Sequence, residues 1–276
     1  MIKKNLNLTE MAEELNSEDN EKDRQFVTAL ARGLEVLGCF RAGDRFLSNQ
    51  EISQRTDLPK PTVTRLCHTL MQLGFLNYSE IHSKYFLGNK VLSLGNAFLS
   101  NIEIRQIARP MMRELAEYAR ASVAIGVRDQ LEILYIENAR SNSTSFNLRL
   151  DVGSHLSLAT SAIGRAYLCG TSDKERDILF NQIRIANKND WPAIKNGIEQ
   201  AMKDYQDKGF CISIGDWEKG VNGVAVPYIP EDGSEVLPFN CGGPPFILSK
   251  KILEEDIGPR LVSLVKNVTY DVQRLH

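Results

Sequence analysis

The stretch LSNQEISQRTDLPKPTVTRLCHTLMQLGFL, residues 47–76, decides the fold. Ser48 or Asn49 can cap a first helix, NQEISQRT, whose Ile52 faces inward with Leu47 and Leu58 flanking it. Asp57-Leu58-Pro59 then turns the chain. A second helix opens at Lys60-Pro61, where proline is tolerated because the N–H groups of a first turn have no intrahelical acceptor. Along it Val63, Leu66, Cys67, Leu70 and Leu73 recur at spacings of three or four, one inward face. Gly74 stops it.

Upstream, FVTALARGLEVLGCF places Phe26, Leu30, Leu34, Leu37 and Phe40 on one stripe of another helix, ended near Gly43. Downstream, FLNYSEIHSKYFLG holds two β-favouring runs around Ile81-His82-Ser83, a hairpin. Three helices and a hairpin, with a tight turn between the second and third helices, predict a winged helix-turn-helix domain over 24–88. Residues 89–103 read as a linker helix with a stripe of Val91, Leu92, Leu94 and Phe98. From 104 to 276 a helix, ARPMMRELAEYAR, precedes strand-like runs at SVAIGV, EILYIENA and SFNLRL. Two or three helices follow between Leu158 and Asp207, then strands at FCISIG, VAVPYI and VLPFNC and a last amphipathic helix. That order predicts an α+β domain, an antiparallel sheet flanked by helices.

Composition sets outer limits. A chain of 276 residues, 42% hydrophobic and 25% charged, is an ordinary globular composition long enough for two domains. No apolar run approaches the roughly 18–20 residues that span a bilayer, and MIKKNLNLTEMAEEL lacks the apolar stretch of a signal peptide, so a cytoplasmic protein without membrane association is expected. Cys39, Cys67, Cys169, Cys211 and Cys241 are widely scattered, and four histidines assemble no zinc spacing, so reduced thiols and no metal or cofactor are expected. The net charge of −2 conceals segregation. Residues 1–23 carry seven acids against three lysines and read as a disordered acidic tail, whereas 24–76 carry seven basic residues against four acids.

The basic segment contains the third helix, which in a helix-turn-helix lies in the major groove. Lys60, Thr62, Thr64, Arg65 and His68 alternate with its buried set and form the candidate DNA-binding face. The helix start adds N–H groups suited to a phosphate. Lys84 and His82, at the hairpin, are either phosphate or minor-groove contacts or a plain surface turn. Arg32, Arg41, Arg45 and Arg55 read as backbone-positioning charges or ordinary surface.

With these elements placed, the chain from 25 to 276 resembles IclR-type bacterial transcriptional regulators. The matching pieces are ALARGLEVL, LSNQEISQRTDLPKPTVTRLCHTLMQLGFL, LGNKVLSLGNAFL, VGSHLSLATSAIGRAYL, GFCISIGDWEKGVNGVAVPY and CGGPPF, in that order. The resemblance implies a winged helix-turn-helix, a linker helix and a GAF-like effector domain that binds a small organic acid. It also implies dimers, which in the family can pair into tetramers, on a double-stranded DNA operator. It carries effector contacts onto Ser161, Ala162 and Ile163 at a helix start, and onto Ser213, Gly223, Asn240 and Gly242 on the strands. Members that bind short oxo acids have an acidic residue, a cysteine and two serines where this chain has Ser213, Gly223, Asn240 and Gly242. Smaller, less charged side chains imply a roomier pocket that suits a bulkier, aromatic acid. The family's serine after Lys60 is Pro61 here, which removes one side-chain contact at the helix start.

Three other readings compete. Asp151, His155 and Ser157 could form a catalytic trio, although no G-x-S-x-G elbow accompanies them. Cys211 and Cys241 could be a redox pair or small buried residues. Asp216-Trp217 could line the pocket or serve as a strand-end turn with a packed ring. The function expected is a ligand-responsive DNA-binding regulator without catalysis, repressor or activator; the alternative is an enzyme acting on a small carboxylic acid through its C-terminal domain.

Overall fold

The computed structural model describes residues 25–141 and 150–275. The acidic tail, and the strand expected at SFNLRL save for Leu150, fall outside them. The chain divides into two compact units, residues 1–101 and 102–276, so the helix expected to link the domains counts with the first. Among the described residues no helix is long and apolar enough to cross a membrane.

The first unit holds helices α1 (Thr28–Gly38), α2 (Asn49–Thr56) and α3 (Lys60–Gln72), a hairpin of β1 (Leu76–Ser79) and β2 (Lys84–Leu87), and α4 (Asn89–Ser100). Ser48 caps α2 reciprocally: its Oγ accepts from the Glu51 N–H, and the Glu51 carboxylate accepts from the Ser48 N–H. Asp57, at φ 56°, ends α2 in the left-handed region, and Pro59 enters α3 extended. Gly74, at φ +79°, lets the chain reverse so that the Phe75 N–H reaches the Leu70 carbonyl at 2.9 Å. Leu47 pairs with Tyr85 and extends the wing by one bridge. The core gathers Val36, Leu47, Ile52, Leu58, Val63, Cys67, Leu70, Leu76 and Tyr85, all from this unit. Each large apolar side chain buried there contributes roughly 1.5–3 kcal/mol. Ser48→Ala should therefore cost about 1 kcal/mol locally, read as faster hydrogen exchange at the Glu51 amide of α2 with the α3 amides unchanged.

Two expectations for these helices are corrected. Phe26, just before α1, and Leu30 and Leu34 on it are exposed, while Gly33 and Val36 face the core, with Leu37 and, past the helix end, Phe40 packed at its edge. The sequence offers two overlapping stripes, and packing against α3 selects the one through Val36. On α3, Leu73 is half exposed because the helix ends at Gln72 and the chain turns away from the core at Gly74.

The second unit begins with α5 (Glu103–Ala119). A six-stranded sheet follows, built from β3 (Ser122–Asp129), β4 (Glu132–Arg140), β5 (His155–Ser157), β6 (Cys211–Ile214), β7 (Asn222–Tyr228) and β8 (Leu237–Gly243). Its order is β5-β4-β3-β8-β7-β6, antiparallel throughout, as expected for an α+β domain. Helices α6 (Ala162–Gly170), α7 (Asp173–Ala186) and α8 (Trp191–Lys208) are inserted between β5 and β6. The chain closes with a short α9 (Lys250–Ile252), a π-helical turn at Leu253–Ile257 and α10 (Gly258–Gln273). Every residue of β7 is buried, so helices cover both faces of the sheet centre. A bulge positions the next feature. Ile125 pairs with Glu137 but Gly126 pairs with Tyr135, leaving Ile136 unmatched. Without it Tyr135 and Glu137 would share one face. With it Tyr135 joins the core under α6, while Glu137 turns to α5 and pairs with Arg105 at 3.2 Å and Arg109 at 2.7 Å.

Candidate nucleic-acid interface and ligand recess

On α3, Lys60, Thr64, Arg65 and His68 are exposed along one face. Thr62 is only half-exposed, a correction: it sits beside buried Val63 at the rim of the inward face. The α3 start has no side-chain cap, leaving its first N–H groups for an anion. The Thr64 hydroxyl donates to the Lys60 carbonyl at 3.0 Å and accepts from Asn49 Nδ2 at 2.9 Å, and Lys60 Nζ lies 3.4 Å from Gln50 Oε1. Asn49 and Gln50 thus extend this polar face. Sequence reasoning used Asn49 only as a possible cap and missed both here, though the Ser48 cap that puts them in the first turn of α2 was the available signal.

The wing residues are engaged. Lys84 Nζ pairs with Glu51 at 3.0 Å, and the Glu51 carboxyl, accepting from Ser48 and Lys84, is held down at about 2. His82 packs its ring on Phe46, centroids 4.6 Å apart. Arg55 pairs with Asp44 and donates to the Cys39 carbonyl at 2.9 Å, tying α2 to the end of α1. Arg65 has no ion-pair partner among the described residues.

In the second unit a narrow recess, open to solvent at its mouth, lies between the start of α6 and the sheet. Six of the seven expected effector residues line it: Ser161, Ala162, Ser213, Gly223, Asn240 and Gly242. Ile163 does not. One residue further along α6 it is rotated into the core with Leu156 and Tyr167, so its side chain is a packing residue. Ser122, Tyr135, Leu150, Leu156, Trp217 and Val221 complete the lining and were missed, apart from Trp217, because they come from strands and loops that only the sheet order brings together.

The polar groups are specific. Ser161 caps α6, its Oγ accepting from the Gly164 N–H at 3.1 Å and donating to the Ser157 carbonyl at 2.6 Å. The N–H groups of Ala162 and Ile163, in the first turn, have no intrahelical acceptor. Ser213 Oγ donates to the Thr160 carbonyl at 2.8 Å, fixing that turn to β6. The Tyr135 hydroxyl donates to Asn240 Oδ1 at 3.1 Å, and burial raises the phenol well above its ordinary value, keeping it a neutral donor. Asn240 is 5% exposed, and its Nδ2 has no partner among the described residues. Small residues make the space: a Cβ on Gly223 would lie 3.4 Å from Ala162 Cβ, and one on Gly242 3.4 Å from Asn240 Nδ2.

The rival constellations come apart. His155 Nε2 lies 3.1 Å from Asp129, Asp151 faces Arg140, and Ser157 Oγ accepts from the Ala159 and Thr160 N–H groups, so the trio does not converge. The Asp129 carboxylate raises the His155 pKa above its ordinary 6.5. This contribution to stability is therefore full below about pH 6.5 and lost as pH rises through the raised value. Both side chains are about half exposed, which limits the pair to ~0.2–1 kcal/mol. His155→Gln should narrow the melting difference between wild type and variant from pH 5.5 to pH 8.5. Cys211 and Cys241 sit on β6 and β8 with β7 between them, and all five cysteines are free. Burial pushes the Cys241 thiol up to about 12, and interaction with the Cys169 thiol, with burial adding to it, raises Cys211. Trp217, just past the end of β6, lines the recess and packs its ring against the core, and Asp216 pairs with Arg165 at 2.6 Å.

A helix-turn-helix with a wing, followed by an α+β unit with a small-molecule recess, defines a ligand-responsive DNA-binding regulator. Residues 29–80 match the IclR helix-turn-helix domain and 96–237 the bacterial transcriptional regulator IclR C-terminal domain. The chain is 31% identical to the HTH-type transcriptional regulator TsaQ1/TsaQ2 of Comamonas testosteroni, over 92% of this chain and 91% of that protein. It is 26% identical to the Pca regulon regulatory protein of Pseudomonas putida, over 91% and 86%. The crystal structure of an IclR family transcriptional regulator from Brucella abortus superposes with a TM-score of 0.84 at 46% identity, covering 93% of this chain and 97% of that one. An IclR homolog complexed with 4-hydroxybenzoate, from Microbacterium hydrocarbonoxydans, shares the fold at 21% identity, TM-score 0.72, over 89% and 99%. The chain belongs to the IclR family of transcriptional regulators.

Proposed function

We propose that the second unit is a GAF-like effector domain whose recess binds a small organic monocarboxylic acid, and that occupancy changes the affinity of a two-fold dimer for its operator without any chemical turnover. Asn240 carries this reading. It is a nearly buried amide whose Nδ2 has no partner among the described residues, in the same recess as the first turn of α6, where the Ala162 N–H has no intrahelical acceptor. Those donors suit one carboxylate, with the helix dipole favouring negative charge. No Lys or Arg lines the recess among the described residues, which favours a monoanion over a dianion. Leu150, Leu156 and Trp217 supply an apolar wall for the body of the acid. The 4-hydroxybenzoate held by the Microbacterium homolog is an acid of this kind.

The DNA contacts assigned are Lys60, Thr64, Arg65 and His68, with Thr62 at the rim and Lys84 available to a phosphate once it leaves Glu51. Phe26 before α1, Leu30 and Leu34 on α1, and Leu92, Leu94 and Phe98 on α4 leave apolar surface in solvent and support pairing with a second copy. The test is fluorescence anisotropy of the full chain on duplexes with inverted half-sites, with and without aliphatic and aromatic acids. A shift in operator affinity of about 5- to 150-fold by one acid, recovered unchanged after incubation, is expected. Conversion of the acid would instead support the enzyme reading, and operator affinity indifferent to every acid would overturn the regulatory one.

A further inference from the structure

Arg165, one turn into α6, is 4% exposed, and a guanidinium is costly to bury unless its donors are used. Nε donates to the Ala159 carbonyl at 3.2 Å, and Nη1 donates to the Ile212 carbonyl at 3.4 Å and to Asp216 Oδ2 at 2.6 Å. Nη2 lies against α8, where a Cβ on Gly197 would come within 2.3 Å of it. One buried cation thus gathers the turn before α6, strand β6, helix α8 and the β6–β7 loop. That loop is closed by its own backbone, Gly215 N–H to Val221 carbonyl at 3.1 Å and Val221 N–H to Glu218 carbonyl at 2.9 Å. Among the described residues no side chain of 215–221 other than Asp216 forms a hydrogen bond or ion pair. The next residue, Trp217, packs against the core and lines the recess.

We propose that Asp216 is a positioning residue for ligand selection: its ion pair with buried Arg165 holds the β6–β7 loop so that Trp217 forms one wall of the recess, and that wall favours a flat aromatic monocarboxylate over an aliphatic acid of the same charge. The inference rests on the recess being the acid site. An indole offers a rigid planar surface that stacks on another ring at little entropic cost, a gain that a flexible chain does not share. A loop tied at one point transmits loss of that tie directly to its neighbouring side chain.

The test uses full-length protein carrying Trp191→Phe, which leaves Trp217 as the sole indole of the two in the chain. Asp216→Ala should red-shift Trp217 emission and increase its quenching by acrylamide. Calorimetry should show benzoate affinity reduced about tenfold and hexanoate affinity by less than about threefold. Asp216→Glu should restore both. A merely structural role would weaken the two acids alike, so the benzoate-to-hexanoate ratio decides the matter. An unchanged ratio and unchanged emission overturn the proposal. If Asp216→Ala does not fold, Trp217→Leu keeps the ion pair and removes the wall; loss of the aromatic preference supports the proposal and its retention overturns it. Equal binding of the acids by the parent sinks the selection alone, whereas binding of neither sinks the acid site as well.

Discussion

Arg65→Ala should weaken specific operator binding by roughly 1–3 kcal/mol, about ten- to a hundred-fold, and relax base preference at one position of each half-site. Several basic side chains around the helix-turn-helix are already committed. Arg55 is bound to Asp44 and the end of α1, and Lys84 to Glu51. Lys60 lies near Gln50, and Thr64 is held by Asn49 and its own helix backbone. Arg65 is exposed on the same face with no ion-pair partner among the described residues, so its long planar fork needs no rearrangement to reach a base edge or phosphate. Removing it should leave the fold intact, since the unit's core draws on Val63, Cys67 and Leu70 from α3 and not on residue 65. Gel shifts with operator and scrambled duplexes separate the two kinds of contact. A base contact loses operator binding selectively, while a phosphate contact weakens both duplexes alike and lowers the salt slope by about one. Unchanged affinity for both would take this face of α3 out of the groove.

How much of this was legible in the sequence depends on the range of the interactions involved. The helix-turn-helix rests on local chemistry: the Ser48 cap, the Asp57-Leu58-Pro59 turn, Pro61 in a first turn and Gly74 past a last one, each acting within about four residues. The sheet's antiparallel character followed from strand runs and short connections. Its order did not, because β3 pairs with β8 across more than a hundred residues of intervening chain. Tyr135 and Ser122 therefore could not be read as lining residues, though each sits in a strand that was recognised, and Leu156 sits in the short β5, which no strand-like run in the sequence announced. The bulge at Ile136 was equally hidden, since a period-two reading puts Tyr135 and Glu137 on one face while the structure sends them to opposite sides. On α1 the sequence held two helical stripes of similar strength, and only contact with α3 chooses between Leu34 and Val36. The family resemblance brought six recess residues together for a reason local periodicity lacks: it carries the strand order implicitly. It also carried Ile163, whose side chain packs in the core because one residue of helical rotation separates the recess from the core.

Ala162→Phe should abolish the response to an acid while leaving operator affinity unchanged in its absence. Ala162 is the first residue of α6, lines the recess, and stands across from Gly223, whose missing side chain keeps the space open. A phenyl group there has no outlet into the small-residue cluster of Ala166, Ala201, Cys211 and Ala225 behind it, so it must occupy the recess and cover the α6 N–H groups. Overpacking costs typically 1–3 kcal/mol, borne by the second unit. The winged helix has a separate core, from Val36 to Tyr85, so its face on DNA should persist. Calorimetry of wild type and variant with the acid that shifts operator affinity, paired with anisotropy on the operator, gives two independent readings. Loss of measurable heat with unchanged unliganded DNA affinity is the expected pair. An acid that still binds the variant with wild-type affinity would place the site outside this recess. Loss of DNA affinity along with the ligand, in a variant whose α3 amides keep their protection, would mean that the state of the recess governs DNA binding by the winged helix even when no acid is present.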